Sequence, residues 1–373
     1  MHNRNSGLIR IYILISLALW WQATAVAENS LPQSVGTVRL QQDTSAAEIE
    51  MLDVGLAIFD AGIPADKSTH SKLGIFPEIR KSEAQFMAVI LRQTLIDSAA
   101  WGVVRVLPRA DDSAELLISG KIIHSDGLSL VLQISARDAT GRQWLERRYS
   151  DETWESDYPV APGADPFIDL YRQVANDLLA FRRQLSADEL RQVRQVAQLR
   201  YAGSLSPEAF GGYLQRSQEG RYSVLRLPAK GDPMMQRVNT IRNQEFLFID
   251  TVDEQYASLY EQMSPTYNLW RQYGREQAIY RKEYQQRVAN RDSRGRKGSF
   301  VAMQQTYDAY KWSKIHEQDL DELALGFNNE VTPTTLEVSG KVFRLNGTLD
   351  TQYSEWRTIL RQIFTLETGL PPQ

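Results

Sequence analysis

The sequence feature that most constrains the fold is a run of alternating residues that begins at Leu128. Apolar side chains occupy every second position of this run: Leu128, Leu130, Leu132, Ile134 and Ala136. The residues between them are polar, except for Val131. A period of two is typical of a strand with one buried face and one open face. The pattern therefore predicts a half-buried β-strand that ends near Arg137.

Two turn signals flank this strand. Asp126-Gly127 precedes it, and this dipeptide supplies the positive φ angles that a tight hairpin needs. Ala139-Thr140-Gly141 follows it and leads to Arg142–Tyr149, where Trp144 is expected to pack on the sheet. We predict a meander of three antiparallel strands.

The residues before the meander supply further elements. Leu52–Phe59 predicts a strand, and Ser82–Ser98 predicts an amphipathic helix with one apolar face. Val103–Leu107 is a short β-branched strand that Pro108 ends. The sequence predicts an amino-terminal β-α-β-β-β unit, in which one helix lies on an open sheet.

The order of elements in residues 50–150 resembles a small α/β domain of bacterial envelope proteins. Its segments are Leu52–Phe59 (LDVGLAIF), Leu91–Leu95 (LRQTL), Leu117–Gly120 (LISG) and Asp138–Gly141 (DATG). The domain occurs in the curli-secretion channel family, in lipoprotein activators of penicillin-binding proteins, and at the amino terminus of the Tol–Pal translocation protein. The resemblance implies a non-catalytic scaffold, channel or activator. The chain departs from it by lacking a lipidation cysteine and by the helical region after Ser150.

The first 27 residues have the composition of a signal peptide. Arg4 and Arg10 precede the apolar run Ile11–Trp21, and Ala25-Val-Ala27 forms a small-x-small cleavage site before Glu28. A membrane-spanning helix needs about 20 apolar residues, and this run is shorter. An uncleaved anchor is the alternative interpretation. We expect export to the periplasm and association with the outer membrane.

Composition narrows the classes of function. The chain has 42 basic and 46 acidic residues, of which the predicted signal peptide takes two basic and none acidic, so the remainder carries 40 − 46 = −6. An acidic exported protein is not expected to bind nucleic acid. The chain has no cysteine, so disulfides and thiolate chemistry are excluded.

After a small α/β domain over residues 28–150, the segment 151–165 is rich in proline and aromatic residues and predicts a linker. Residues 28–50 are expected to be a flexible leader, in which Thr37–Leu40 is a candidate edge strand. Residues 166–330 predict a helical region. Its first helix carries the apolar stripe Phe167, Leu170, Val174, Leu178, Phe181 and Leu185.

Two further helix starts follow in this region. Ser186 and Glu189 form a capping box for a second helix. Ser206-Pro207-Glu208 predicts a third helix, with Phe210 and Leu214 buried.

The longest predicted helix begins at Asp232-Pro233, and Ser264-Pro265 either kinks it or starts a new one. An aromatic stripe follows: Tyr267, Trp270, Tyr273, Tyr280 and Tyr284. A partner segment, Phe300–Leu325, adds Tyr307, Tyr310 and Trp312. We interpret the two segments as a helical hairpin whose tip, around residues 287–298, is basic: Arg287, Arg291, Arg294, Arg296 and Lys297.

The hairpin is the principal candidate for a binding site. Tyrosine and tryptophan combine apolar area with a polar tip, which suits a protein partner or a glycan. The alternative is that the stripe packs as core against Phe300–Leu325. The basic tip is a candidate contact for anionic lipid headgroups or lipopolysaccharide, and its alternative is a solvated loop.

Residues 331–373 predict a terminal β-β-α piece. Two strand-like runs in Thr334–Leu345 meet at Ser339-Gly340, and Asp350 or Thr351 is expected to cap the last helix. The apolar stripe of that helix is Trp356, Ile359, Leu360, Ile363 and Phe364. Whether this piece joins the first sheet is open at this point.

The sequence contains no recognisable catalytic motif, and we predict no catalytic residue, metal site or cofactor. The histidines lack the paired spacing of a zinc-binding helix. His316–Glu322 places a histidine and carboxylates on one helical face, which is more typical of a solvated acidic surface than of a metal site. A pair of carboxylates from distant residues, as in glycosidases, stays open.

Three hypotheses about function follow. The favoured one is a non-catalytic periplasmic accessory or scaffold protein that docks with an envelope protein complex. The alternatives are a protein that binds peptidoglycan or another glycan, and a hydrolase with an unrecognised site. Pairing between exposed edge strands leaves a homo-oligomer open.

Overall fold

The computed structural model describes residues 32–44, 51–111, 113–291, 333–338 and 340–369. The predicted signal peptide and the segment Phe300–Leu325 lie outside these residues. The α+β fold class is confirmed: a five-stranded sheet is followed by helices and then by a strand pair with a last helix. The described residues from Ser34 onward belong to one compact unit.

The large sheet is mixed. Its strands are β1 Val54–Ala57, β2 Val104–Leu107, β3 Leu116–Ser125, β4 Ser129–Asp138 and β5 Gln143–Glu152. Their spatial order is β2-β1-β3-β4-β5, with β1 parallel to both neighbours and β3, β4 and β5 antiparallel. Each of the five strands was predicted separately, and the predicted order β-α-β-β-β counted one strand too few.

The predicted turn between β3 and β4 forms as its sequence demands. Gly127 has a φ of 80°, and the Asp126 carboxylate accepts hydrogen bonds from the backbone N–H groups of Leu128 (3.1 Å) and Ser129 (3.0 Å). In β4 the apolar positions from Leu130 to Ala136 are buried, as predicted, and so is Val131 on the opposite face. Helices therefore cover both faces of the sheet in part.

The short helix α1 spans His70–Leu73 and is followed by α2, Pro77–Asp97, which packs on the sheet. α2 begins earlier than the predicted Ser82, because Pro77 occupies the first turn of the helix, where its missing N–H costs nothing. Next come α3, Ile168–Arg182, and α4, Ala187–Leu205, which share the core of the sheet. The predicted capping box is confirmed: Ser186 Oγ accepts from Glu189 N, and Glu189 accepts from Ser186 N at 2.9 Å.

The prediction for the third helix was wrong in its length. α5 spans only Pro207–Phe210, and Gly211-Gly212 follow it. Phe210 is buried as predicted, but Leu214 lies in a strand and is only half-buried. Two short strands that the sequence did not predict form a hairpin here, β6 Leu214–Arg216 and β7 Tyr222–Val224.

Residues 34–44 of the polar leader are held against the fold by hydrogen bonds. Val35 N donates to Ser150 O (2.8 Å), and Ser34 forms an isolated parallel bridge with Ser150 on the outer edge of β5. Further on, Asn176 of α3 bonds the backbone on both sides of Leu40. The candidate edge strand Thr37–Leu40 does not form.

The long helix α6 spans Pro233–Arg291 and continues through Pro265 without starting a new helix. The terminal piece contains β8 Thr334–Val338, β9 Lys341–Leu345 and α7 Leu349–Thr368. β8 and β9 form a separate two-stranded sheet and do not join the first. The predicted cap was wrong: Thr348, not Asp350 or Thr351, accepts the hydrogen bond from Thr351 N.

The terminal piece packs on the first half of α6. Trp356, Leu360 and Phe364 are buried, and the ring of Phe248 in α6 stacks near Tyr353 (5.9 Å between centroids) and Trp356 (6.4 Å). Among the described residues, no helix is both long enough and apolar enough to cross a membrane.

A close backbone approach fixes the second half of α6 on the sheet. A Cβ at Gly274 would lie 2.6 Å from the carbonyl oxygen of Asp126, and one at Gly127 would lie 2.0 Å from the carbonyl oxygen of Arg271. Glycine on both sides therefore lets the β3–β4 turn contact the helix backbone directly.

Gly274→Ala is expected to lower the free energy of unfolding by about 1–3 kcal/mol, because the added methyl group forces the turn and the helix apart. Gly203→Ala in α4 is the matched control. A Cβ there meets nothing within 4 Å, so the better helix former is expected to raise stability by about 0.5–1 kcal/mol. Urea unfolding measures both values, and equal effects at the two sites would contradict the close approach.

Candidate functional site

The candidate site is the second half of α6, and two sets of buried charges determine how that helix is held. The first set lies at the edge of the large sheet. Asp253 accepts a hydrogen bond from the backbone N–H of Val106 (3.1 Å), and Arg92 of α2 lies 3.2 Å from the same carboxylate. Arg105 of β2 pairs with Asp250 at 2.7 Å. The Asp253 carboxylate thus satisfies the Val106 N–H of edge strand β2, which would otherwise be open to another chain.

Burial raises the pKa of Asp253 to about 7, although Arg92 and the Val106 N–H act to lower it. Arg105 from β2 also lowers this pKa, and Asp250 on the same helix raises it. Desolvation therefore favours the protonated form of the Asp253 carboxyl group, and the two arginines favour its ionised form.

The second set lies further along α6. The hydroxyl of Tyr267 donates to Glu83 Oε1 (2.9 Å), which also accepts from the Ser125 hydroxyl (2.8 Å). Arg80 lies 2.8 Å from the other oxygen of Glu83. Glu83 is completely buried. This set connects α2, α6 and the end of β3.

Arg271 lies one turn after Tyr267 and is only 2% exposed. Its guanidinium donates to Asp165 Oδ2 (2.8 Å) and to Asn268 Oδ1 (2.7 Å), and it lies 4.4 Å from the centre of the Tyr267 ring. Burial opposes the charge, but the Asp165 carboxylate raises the pKa of Arg271 overall. Asp165 therefore ties the segment before α3 to the middle of α6.

A third buried carboxylate joins the helices on the other side of the fold. Glu245 of α6 accepts from the hydroxyls of Tyr201 in α4 (2.8 Å) and Tyr353 in α7 (2.6 Å). Arg357 lies 3.5 Å from the same carboxylate. Burial, and then the charge of Glu245, raises the pKa of both tyrosines well above its usual range.

The five residues predicted to bind a partner occupy different environments. Tyr267 is buried, Trp270 is half-buried with its ring edge-on to Phe76 (6.3 Å), and Tyr280 is half-buried. Tyr273 is 39% exposed. The backbone of Tyr284 belongs to α6, and its side chain is not among those that the structure describes.

Of the predicted basic tip, the structure describes only the backbone of its first residues, up to Arg291. Arg287 and Arg291 belong to the last turns of α6. Arg294, Arg296 and Lys297 lie outside the described residues. The anionic contact predicted for this tip stays a prediction.

The outward face of the second half of α6 carries residues that the sequence analysis missed. Leu269 is 51% exposed and lies one turn before Tyr273. Glu276 follows Tyr273 by three residues and is also exposed. We call Leu269, Tyr273 and Glu276, which lie on one side of the helix, the outer face of α6. Their spacing of four and three residues was the available signal. The exposed Arg281 and Lys282 follow further along the same helix.

Arg271→Met is expected to lower the free energy of unfolding by about 3–5 kcal/mol, because it leaves the Asp165 carboxylate buried without its partner. Asp165→Asn in the same protein is expected to recover part of the loss. Arg281→Met, on the exposed side of the same helix, is the control and is expected to stay within about 0.5 kcal/mol of the wild type. Chemical denaturation measures all three, and a loss at Arg271 no larger than the control would contradict a structural role.

Asp253→Asn is expected to flatten the pH dependence of stability between about pH 4 and pH 7. In the wild type, the folded state holds this proton more tightly than the unfolded state, whose pKa is near 3.8. Stability therefore falls as pH rises through this window, and the cost is fully present above the folded pKa. The urea midpoints of both proteins across this pH range measure the difference. If the two midpoints changed with pH in parallel, Asp253 would not be the source of the pH dependence.

Within the described ranges, no group of three or more histidine or carboxylate side chains is placed to hold a metal ion. No protein-family model, curated protein or solved structure matches the chain.

Proposed function

We propose that this chain is a non-catalytic accessory or scaffold protein of a bacterial envelope assembly, and that it acts by docking a partner protein on the outer face of α6. The observation that carries the proposal is that the second half of α6 is fixed by buried contacts on one side and exposes apolar and charged side chains on the other. Tyr267 and Arg271 fix the inner side through buried hydrogen bonds, while Leu269 and Tyr273 face outward. A preorganised surface of this kind loses little entropy on binding.

The positions of the groups whose pKa values are shifted support a structural rather than a catalytic role for them. Strongly shifted pKa values mark candidate catalytic groups when these lie in a cleft. Here Asp253, Arg271 and Tyr353 each bond partners from another element, and all three are buried. Their hydrogen-bonding capacity is used to join helices and strands.

The charges of the outer face favour a protein over a lipid or a polyanion. Glu276 belongs to the outer face, and the exposed Arg281 and Lys282 follow it by five and six residues. Charges of both signs match the complementary charges of a protein interface, which set orientation and partner choice. An anionic lipid surface or a polyanion would meet repulsion at Glu276.

The proposed compartment is the periplasm, reached through the predicted signal peptide of residues 1–27. The amino-terminal sequence of the protein recovered from the native host tests this part separately. Export with cleavage is expected to give a chain that begins at Glu28, and a chain that begins at Met1 in the cytoplasm would contradict it.

Photo-crosslinking in the native host tests the docking face. Probes at Leu269 and Tyr273 are expected to trap one discrete protein, identified by mass spectrometry. Leu247 is the control, because it lies on the first half of the same helix and is exposed to a similar degree, 49%.

Capture of the same protein at Leu247 and at Leu269 would show that the contact is not specific to the outer face. Capture of glycan alone would favour the glycan-binding alternative, and so would contradict docking to a protein.

A further inference from the structure

The hairpin of β6 and β7, with the segment that follows it, has a charge opposite to that of the whole chain. Residues 213–230 carry four basic side chains, Arg216, Arg221, Arg226 and Lys230, against one acidic side chain, Glu219. The complete chain has a net charge of −4. We call residues 213–230 the basic hairpin.

One face of the basic hairpin is anchored to the fold. Leu214, Tyr222 and Val224 pack against the core of the large sheet. The backbone N–H of Tyr222 donates to Thr140 O in the β4–β5 turn (2.8 Å), and Gly141 of that turn faces the carbonyl of Gly220. The hairpin is therefore a fixed part of this end of the sheet.

Two leucines are exposed at the end of the hairpin. Leu225 is 59% exposed and Leu227 is 55% exposed, and Arg226 lies between them in sequence. Two guanidinium groups of the hairpin lie over its aromatic rings. Arg226 lies 4.3 Å from the centre of the Tyr213 ring, and Arg216, the cross-strand partner of Tyr222, lies 5.5 Å from the centre of the Tyr222 ring.

The four basic side chains are exposed, and none of them forms an ion pair with a carboxylate of the described residues. Stacking on an aromatic ring leaves the N–H groups at the edge of a guanidinium open to an anion. Charge of one sign beside exposed apolar area is the composition of surfaces that bind at a membrane interface.

We propose that the basic hairpin binds the surface of an anionic phospholipid membrane. Leu225 and Leu227 enter the boundary between headgroups and acyl chains, and the arginines and Lys230 contact lipid phosphates. The two leucines favour lipid over nucleic acid, since a nucleic-acid backbone offers nothing to exposed leucine. An acidic protein surface is the remaining occupant, and the test separates it from a membrane.

The position of the hairpin gives this contact a direction. The basic hairpin bonds the turn after β4, whereas Gly274 of α6 contacts the turn before β4. The two surfaces therefore lie at opposite ends of a strand about 33 Å long, at about 3.3 Å per residue. In a protein bound to a membrane through the hairpin, the contact of α6 with the β3–β4 turn lies about one strand length from the hairpin's contact with the β4–β5 turn.

Vesicle sedimentation with the purified chain tests the inference. The wild type is expected to sediment with vesicles that contain phosphatidylglycerol, to stay in solution with pure phosphatidylcholine, and to dissociate as salt is added. Arg221→Gln with Arg226→Gln is expected to weaken partitioning by about 25-fold, since each basic residue near such a surface contributes roughly fivefold. Leu225→Ser with Leu227→Ser is expected to weaken it by at least tenfold.

Arg109→Gln with Arg148→Gln is the control, because it removes the same charge from exposed positions outside the hairpin. Thermal unfolding of each variant checks that the fold is kept. Unchanged vesicle binding by the leucine variant would contradict the entry of Leu225 and Leu227 into the membrane boundary and would overturn the inference, because only an electrostatic contact with the vesicle surface would remain. Failure of the wild type to bind, or equal loss in the control, would also overturn it. No partner protein is present in this assay, so its outcome is independent of docking at α6.

Discussion

The buried contact between Arg271 and Asp165 is the interaction on which the arrangement of the fold depends. A guanidinium that is 2% exposed needs a carboxylate beside it, because its uncompensated desolvation would remove a large part of the stability of a domain. Asp165 lies before α3 and Arg271 lies in the middle of α6. The pair therefore permits one position of α6 along the sheet, and a shift by one turn would break it. A purely apolar contact in the same place would not fix the register so strictly.

The edge strands of the large sheet have backbone groups that could pair with another chain, and α6 covers one of these edges. β2 is an edge strand of the large sheet, and α6 covers it with Asp250 and Asp253. At the opposite edge, Ser34 and Val35 bond β5 at Ser150. Both edges of the large sheet are thus occupied at these positions, which disfavours pairing of edge strands there.

Local patterns predicted the elements whose determinants are close in sequence. The alternation after Leu128, the Asp126-Gly127 turn and the Ser186 capping box all formed, because each is decided within a few residues. The β6–β7 hairpin was missed because strands of three residues carry too little periodicity to detect. The role of Arg271 was also missed. Its partner is 106 residues away, so only the folded chain brings the two together.

The aromatic stripe shows why spacing alone could not decide between core and surface. Tyr267 and Tyr273 lie on the same helix and have the same chemistry, but one is buried beside Glu83 and the other is 39% exposed. The difference comes from the β3–β4 turn, which meets α6 at Gly274 and so selects which side of the helix faces the sheet. Because that turn and the turn that holds the basic hairpin are joined by β4, a single strand sets the separation between the two proposed contact surfaces. A rigid separation lets a scaffold hold a partner at a defined distance from a membrane, and a flexible linker could not do so.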